Sequence, residues 1–423
     1  MTDIKTIIGE LTGIKYKPGL RFEYIIAIPA VDTEEYALLV EHDGQNNGNV
    51  YSLLALADEG KAPYCISLGV MPGKLIMPDG TVRDMRMNNY DIFDREYGDF
   101  LVYELIPYVM EKYNLRISSS ADMHMISGGS SGGISALSVA WFHPDYFHRV
   151  HMSSPSFLAM GRGNEFPYLL RKYETKPLRI YHEFSENEPN DYFGWSRAID
   201  MEADKGLIFS GYDYRSKLLE GEGHSSRYGD KDEGYLRNEW LWQDYRTNPI
   251  VARANSPRVD KVIPFGSKWE KCNTFPENVS DIPKKLESCT CVTLSKDKLT
   301  WYAADRTDDL VYKHLADESV SYEKRYVHTA LHTIPRIYPK GAISMTTDAV
   351  DRLYVLTAIG IQCVRSFGLI DVILDLPDDS SPLDIAITDH LYVKTEKGAY
   401  RRKLQGECTD FKNIQRKYTS YFD

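Results

Sequence analysis

Apolar positions in the first 250 or so residues recur with two alternating periods. Arg21–Pro29 (RFEYIIAIP), Tyr36–Glu41 (YALLVE) and Pro63–Gly69 (PYCISLG) are short runs dense in β-branched and aromatic residues, and they predict strands. Met123–Ser127, Val150–Ser153 and Leu178–Phe184 predict three more. Between them Asp99–Tyr113 sets Leu101, Leu105, Ile106 and Val109 at helical spacing, and Ile134–Phe142 reads as an apolar helix. A last helix ends near Trp240–Tyr245. Strands and helices in alternation imply an α/β domain whose mostly parallel sheet is covered by helices.

The pattern then changes. Asn248–Pro283 carries five prolines and few apolar runs, so residues 249–283 are expected to be a linker. Beyond it the period is that of strands. Cys291–Tyr312, Ile343–Val364 and Leu383–Arg401 look alike: an apolar strand, a polar turn, a Tyr-containing strand, a second turn and another strand. Their spacing of roughly 40 to 50 residues is that of a propeller blade. The expected division is a hydrolase-type domain over 1–248, the linker, and a smaller all-β, partly propeller-like domain over 284–423.

Composition narrows the function. At 423 residues the chain exceeds what one ordinary core organises. Net charge is −11, from 50 Lys+Arg against 61 Asp+Glu, spread along the chain. That balance disfavours nucleic acid and anionic membranes, both of which call for a basic face. The opening MTDIKTIIGELTG has no basic stretch followed by an apolar one, and no apolar run approaches the roughly 20 residues of a membrane span, so a cytoplasmic location is expected. The six cysteines do not read as a disulfide scaffold in a chain this long, and Cys289 and Cys291 lack the neighbours a zinc site requires.

The most informative stretch is Met123–Leu137 (MHMISGGSSGGISAL), a buried strand running through small residues into a buried helix. A nucleophile elbow has this form: the serine occupies a strained turn, small neighbours let strand and helix cross closely, and the helix N-terminus offers free N–H groups. Two frames fit G-x-S-x-G, one centred on Ser130 and one on Ser131. Ser130 is preferred, because Gly132-Gly133 then leads straight into the helix and Ser131 supplies an oxyanion N–H. A serine hydroxyl requires a base. Among 11 histidines, His224 alone lies in a Gly-rich loop ahead of the last helix, whereas His124, His151 and His182 fall in strands. The acidic loop after Leu178–Phe184 supplies Glu186, Glu188 and Asp191 as candidate third members. A second oxyanion donor is expected at Gly44 or Gln45, after the strand Tyr36–Val40. Aromatic residues in the loops on the acyl side, Phe157, Phe166 and Tyr168, either line a pocket or pack in the core.

At these residues the chain resembles esterases of the enterochelin-esterase and feruloyl-esterase type, over about residues 10 to 246. Glu41–Gly44, Gly128–Gly133, Ser185–Glu188 and Glu222–His224 match the family's HDG-like, GxSxGG, GEND-like and GEGGH-like motifs, with Ser185 standing where the family often has Gly. Gly211–Tyr214 and Trp240–Trp242 match as well. The resemblance places the acid on Glu188 and implies ester hydrolysis through an acyl-enzyme, with neither metal nor organic cofactor. The C-terminal region resembles half of a gluconolactonase-type six-bladed propeller, carried by Gly341–Val355, Ile359–Gln362 and Tyr400–Leu404. It is too short for six blades. The family's metal-binding Asp and Asn fall on Ala342 or Ile343 and near Thr290, so no lactonase activity is implied. An open partial propeller would pack on the esterase domain or on a second copy of the chain. The expected substrate is a small-molecule or carbohydrate ester, such as a feruloyl or acetyl sugar ester. The rival expectations are a non-catalytic scaffold on a hydrolase fold and a bifunctional lactonase–esterase.

Overall fold

The computed structural model describes residues 2–409 apart from 14, 160, 162, 225–229, 277–281 and 322. Part of the expected linker and the end of the 284–423 region therefore lie outside the described residues, as do Ser225 and Ser226 of the histidine loop. The chain forms two compact units, Met1–Leu170 with Thr175–Ala254 and Arg171–Glu174 with Asn255–Asp423.

In the first unit the strands are β1 (Ile4–Leu11), β2 (Leu20–Pro29), β3 (Ala37–His42), β4 (Cys65–Val70), β5 (Lys74–Ile76), β6 (Val82–Asp84), β7 (His124–Gly129), β8 (Arg149–Ser153), β9 (Arg179–Asn187), the hairpin β10 (Asn190–Asp191) and β11 (Gly194–Trp195), and β12 (Asp213–Gly223). Ten of them make one sheet ordered β12-β9-β8-β7-β3-β4-β2-β5-β6, with β1 added on β2. From β12 to β4 all neighbours are parallel, and β2 joins β4 antiparallel. β3 and β8 are buried along their whole length, as strands covered on both faces must be. The helices are α1 (Asn47–Asp58), α2 (Arg86–Tyr90), α3 (Glu96–Phe100), α4 (Ile106–Lys112), α5 (Ser131–Phe142), α6 (Phe166–Leu170), α7 (Ser196–Phe209) and α8 (Lys231–Trp242). Every residue of α5 but Phe142 is buried, which suits a helix of apolar and small residues with no charge on any side. The chain passes from β3 through α1 to β4 on one side, and returns to β7 on the other. Order thus reverses at β3/β7, where open α/β sheets place their functional groups at the carboxyl ends of the strands.

The core of this unit includes a polar network. Asn49 Nδ2 donates to Glu41 Oε1 and Ser127 Oγ, each at 3.0 Å, and Ser127 Oγ lies 2.8 Å from His151 Nδ1. His151 Nε2 lies 3.2 Å from Glu183, whose other oxygen accepts from Arg237 at 3.0 Å. All these groups are buried. Burial pushes Glu41 up to about 7 and His151 down to about 4. Burial also opposes the charge on Glu183, but Arg237 and His151 hold it at about 2.

The second unit holds β13 (Glu270–Cys272), β14 (Cys291–Leu294), β15 (Thr300–Ala304), β16 (Leu310–Leu315), β17 (Tyr326–Ala330), β18 (Ser344–Thr347), β19 (Leu353–Thr357), β20 (Gly360–Val364), β21 (Ile370–Leu374), β22 (Pro382–Ile387), β23 (Leu391–Thr395) and β24 (Gly398–Arg402). They form three four-stranded antiparallel sheets, β14 to β17, β18 to β21, and β22 to β24 with β13 on the outside. The first strands approach one another: Thr347 Oγ1 donates to Leu294 O at 3.2 Å, and Ser344 Oγ to Asp384 Oδ1 at 2.6 Å. Of the stretch 249–283, residues up to Ala254 go with the first unit and the rest with the second. There Val259, Val262 and Ile263 are buried in its core and β13 pairs with β24. The prolines punctuate this stretch without keeping it outside the folded unit. A short helical turn at 259–261 carries Val259, and Val262 and Ile263 follow it directly into the core.

Candidate active site

Ser130 sits between β7 and α5 with φ 55° and ψ −126°, a conformation that costs an L-residue of order 1–3 kcal/mol. The turn is over-determined. Ser130 N donates to Ser153 O at 2.8 Å, and Ser130 O accepts from Gly133 N and Ile134 N at 2.9 and 3.2 Å. The crossing of strand and helix depends on glycine: a Cβ on Gly128 would fall 2.2 Å from Gly132 O. A Cβ on Gly132 would meet Asp43 Oδ2 and His42 Cβ, both at 3.0 Å, so this glycine lets the loop after β3 lie against the elbow.

Strand pairing brings the other two groups together. β12 runs parallel to β9, with an irregularity between Leu219 and Gly223 after which Gly223 pairs with Asn187. The next residues on the two strands are His224 and Glu188. His224 Nε2 lies 2.9 Å from Ser130 Oγ, and its Nδ1 lies 2.6 Å from Glu188 Oε2. A carboxylate facing Nδ1 keeps the ring proton there, so Nε2 is left to accept from the serine. The Glu188 side chain is 1% exposed and that of His224 35%, so the acid is walled off while the base faces the opening. The Glu188 hydrogen bond outweighs burial and holds His224 above its ordinary 6.5. Burial works against the Glu188 charge, yet His224, the Ser154 hydroxyl and the Ser185 N–H at 3.0 Å keep it below its ordinary 4.5.

The competing candidates are held elsewhere. The Ser131 hydroxyl donates to Asp91 Oδ2 at 3.0 Å. Glu186 accepts from Gly221 N at 2.8 Å, and Asp191 accepts from Phe193 N at 2.9 Å within the β10–β11 hairpin. Ser131 N, at the first position of α5, has no carbonyl of its own helix within reach. One expectation is corrected here: Gly44 N donates to Val70 O at 3.1 Å, so it ties the loop after β3 to the end of β4 rather than facing the site. Gln45 N remains, in a loop pressed on Gly69, where a Cβ would lie 2.5 Å from that nitrogen. Phe157 and Phe166 are fully buried and pack at 6.3 Å between ring centres, whereas Tyr168 is 51% exposed. In the second unit Ala342 and Ile343 are buried apolar positions, and Thr290 donates to Asp305 Oδ1 at 3.0 Å from its N–H and at 3.1 Å from its hydroxyl.

Reading the sequence did not single out Ser153–Ser156, although a run of small polar residues ending the strand beside the elbow was the available signal. Ser153 O holds the nucleophile's N–H, Ser154 bonds Glu188, and Ser156 Oγ lies 2.9 Å from Ser130 Oγ. Arg86 was missed as well. It makes a two-pronged pair with Asp43, each contact 2.7 Å, beside the loop that ends at Gln45.

The fold and this site define an α/β-hydrolase. The family model described as "Putative esterase" matches residues 22–282, and the chain belongs to that esterase family. Among solved structures it is similar to a ferulic acid esterase (16% identity, TM-score 0.44), over 56% of this chain and 98% of that one. It is similar also to enterochelin esterase from Shigella flexneri (19%, 0.40), over 56% and 57%, and to the siderophore hydrolase EstB from Aspergillus nidulans (17%, 0.41), over 58% and 96%. The match thus spans little more than half of the Shigella protein. No curated protein matches the chain in sequence. Among the described residues no helix is long and apolar enough to cross a membrane.

Proposed function

We propose that the first unit hydrolyses carboxylic esters through an acyl-enzyme on Ser130. The observation that carries this reading is the unbroken line Ser130 Oγ–His224 Nε2, His224 Nδ1–Glu188 Oε2, at 2.9 and 2.6 Å, on a serine with positive φ. Ser130 Oγ attacks the acyl carbon while His224 takes its proton, and His224 then protonates the departing alcohol. Glu188 fixes the tautomer and stabilises the imidazolium. The N–H groups of Ser131 and Gln45 hold the oxyanion. Water repeats the sequence on the acyl-enzyme and releases the acid. A scaffold has no use for all three groups in this order.

For the substrate we propose an acyl group on a carbohydrate. The support is the second unit, which we read as three blades of an incomplete propeller of the kind found in sugar lactonases, with β13 completing the blade that β22 begins. That reading leaves β17 as a sheet edge with Tyr326 and Val327 exposed, and a second copy of the chain is its expected cover. A single-chain mass by sedimentation equilibrium would remove the second copy.

The test is hydrolysis of p-nitrophenyl acetate and methyl ferulate by the wild type and by Ser130→Ala, with fluorophosphonate labelling alongside. The expected loss in kcat on removing the nucleophile is on the order of 10⁶, together with loss of the label. A labelled, active Ser130→Ala protein would move the nucleophile elsewhere. A wild type that neither labels nor turns over would return the scaffold reading.

A further inference from the structure

The mechanism above leaves one group at its centre unused. Ser156 Oγ is 2.9 Å from the nucleophile oxygen, and Ser156 N donates to Ser130 O at 3.2 Å. The direction of the hydroxyl contact follows from counting protons. Glu188 holds the ring proton of His224 on Nδ1, so Nε2 can only accept. Ser130 has a single hydroxyl hydrogen, which goes to Nε2. The proton between the two serines therefore belongs to Ser156, which donates to Ser130 Oγ. Its position is fixed from both sides, by Pro155 before it and by the fully buried Phe157 after it.

We infer that Ser156 is a hydrogen-bond donor to the leaving oxygen in the second half of the reaction, an inference that rests on the acyl-enzyme reading. In acylation the Ser156 bond is already made in the starting state, to a hydroxyl oxygen that accepts well, so little is added as Oγ becomes partly charged; in deacylation it starts on an ester oxygen, a weaker acceptor, and gains more. In deacylation water attacks the acyl carbon and gives a proton to His224. The C–Oγ bond then breaks with its electron pair moving to Oγ, and His224 returns the proton there. Negative charge grows on Oγ during that break, and a bond to a charged acceptor is roughly twice as strong as a neutral one. Ser156 thus acts on the departing oxygen itself, a different atom from the carbonyl oxygen served by the Ser131 and Gln45 N–H groups.

The experiment separates the two steps. With p-nitrophenyl acetate, stopped-flow release of p-nitrophenolate reads acylation and the steady state reads deacylation, both per site counted with a fluorophosphonate. Ser156→Ala is expected to slow deacylation about tenfold, the worth of one charge-assisted hydrogen bond, while acylation stays within about threefold. A burst of one product per site would then precede a slower steady state. Ser156→Thr, which keeps the hydroxyl, is expected to restore deacylation to within about threefold of the wild type. Equal slowing of both steps, no slowing, or a Thr variant as slow as Ala would overturn the inference. Should the wild type show neither burst nor label, or Ser130→Ala retain both, it is the acyl-enzyme reading that fails.

Discussion

His224 and Glu188 perturb each other in complementary directions, and that sets the pH behaviour expected of the site. His224 is held above 6.5 chiefly by Glu188, so the base is unprotonated, and kcat/KM at its plateau, only above that raised value. Activity is expected to fall as pH drops through it. Glu188→Gln removes the main cause, so the acidic limb should move to lower pH while the plateau falls by about 10⁴, because the amide no longer fixes the tautomer. A pH–rate profile of both proteins checks the two changes together, and a limb that stays in place would separate Glu188 from the base. The same pair has a thermodynamic sign. Raised His224 contributes stability that is complete below pH 6.5 and lost as pH rises through its folded value. Lowered Glu188 contributes stability present above pH 4.5 and lost on acidification through its folded value. At this scale the sequence was legible where residue type and neighbours decide the matter. Ser130 and His224 stand in settings few other residues share, whereas Glu186, Glu188 and Asp191 are equivalent as side chains. What separates them is the pairing of Asn187 with Gly223, a long-range fact. Gly44 was misplaced for a similar reason: an Asp-Gly turn says that an N–H is near, and φ of 92° decides where it points.

Among the elements, the crossing of β7 and α5 is the least tolerant of added volume. Gly128→Ala would set a methyl 2.2 Å from Gly132 O, a backbone atom that cannot rotate away. The expected cost is about 1–3 kcal/mol, read as a lower urea midpoint, with activity lost through displacement of Ser130. The polar network between α1, α8 and the sheet makes a second prediction. Arg237→Met leaves Glu183 buried without its guanidinium, at a cost of about 3–5 kcal/mol. A chemical denaturation curve unchanged by that substitution would show the pair to be dispensable. Buried parallel strands and helix α5 were readable because burial on all sides concentrates apolar and small residues there, even where a buried polar group such as His151 or Ser138 interrupts the run. Strands β1 and β12 were not. They lie at sheet edges, and β12 (DYRSKLLEGEG) mixes charge and glycine because one side of it is wet. Helix α7 hid for another reason: it buries Asp200 and Asp204 while Met201, Ile208 and Phe209 are exposed, so its sequence carries no clean apolar face.

For the whole molecule, the change from alternating to purely β pattern was visible in the sequence, and so were the three repeats that became β14–β16, β18–β20 and β22–β24. The contributions of β13 and of Arg171–Glu174 to the second unit were not, since a short segment recruited from far away leaves no period of its own. Within that unit Glu174 takes two contacts of 2.7 Å from Arg402 and accepts from Asp375 N at 2.9 Å, Tyr173 OH donates to Ile359 O at 2.9 Å, and Lys172 O accepts from Ile373 N at 2.8 Å. Glu174→Gln is expected to destabilise the second unit by about 3 kcal/mol, because Arg402 is left buried without a countercharge. Differential scanning calorimetry checks this as a lowered transition.

Because those four residues are spelled out inside the stretch that encodes the hydrolase, the β unit is not a cassette. Cutting the gene at 254 and 255 would hand one product a tetrapeptide parted from Ile359, Ile373 and Arg402, and leave the other with Arg402 lacking its carboxylate. A transplant onto a different carrier would have to move two pieces of chain and join them with a designed bridge. During synthesis the tetrapeptide emerges ahead of Ile359, Ile373, Asp375 and Arg402, and must wait until β21 and β24 follow. Inheritance of the two halves is therefore coupled at the level of the reading frame, and shuffling at a single boundary would separate residues that complete one fold.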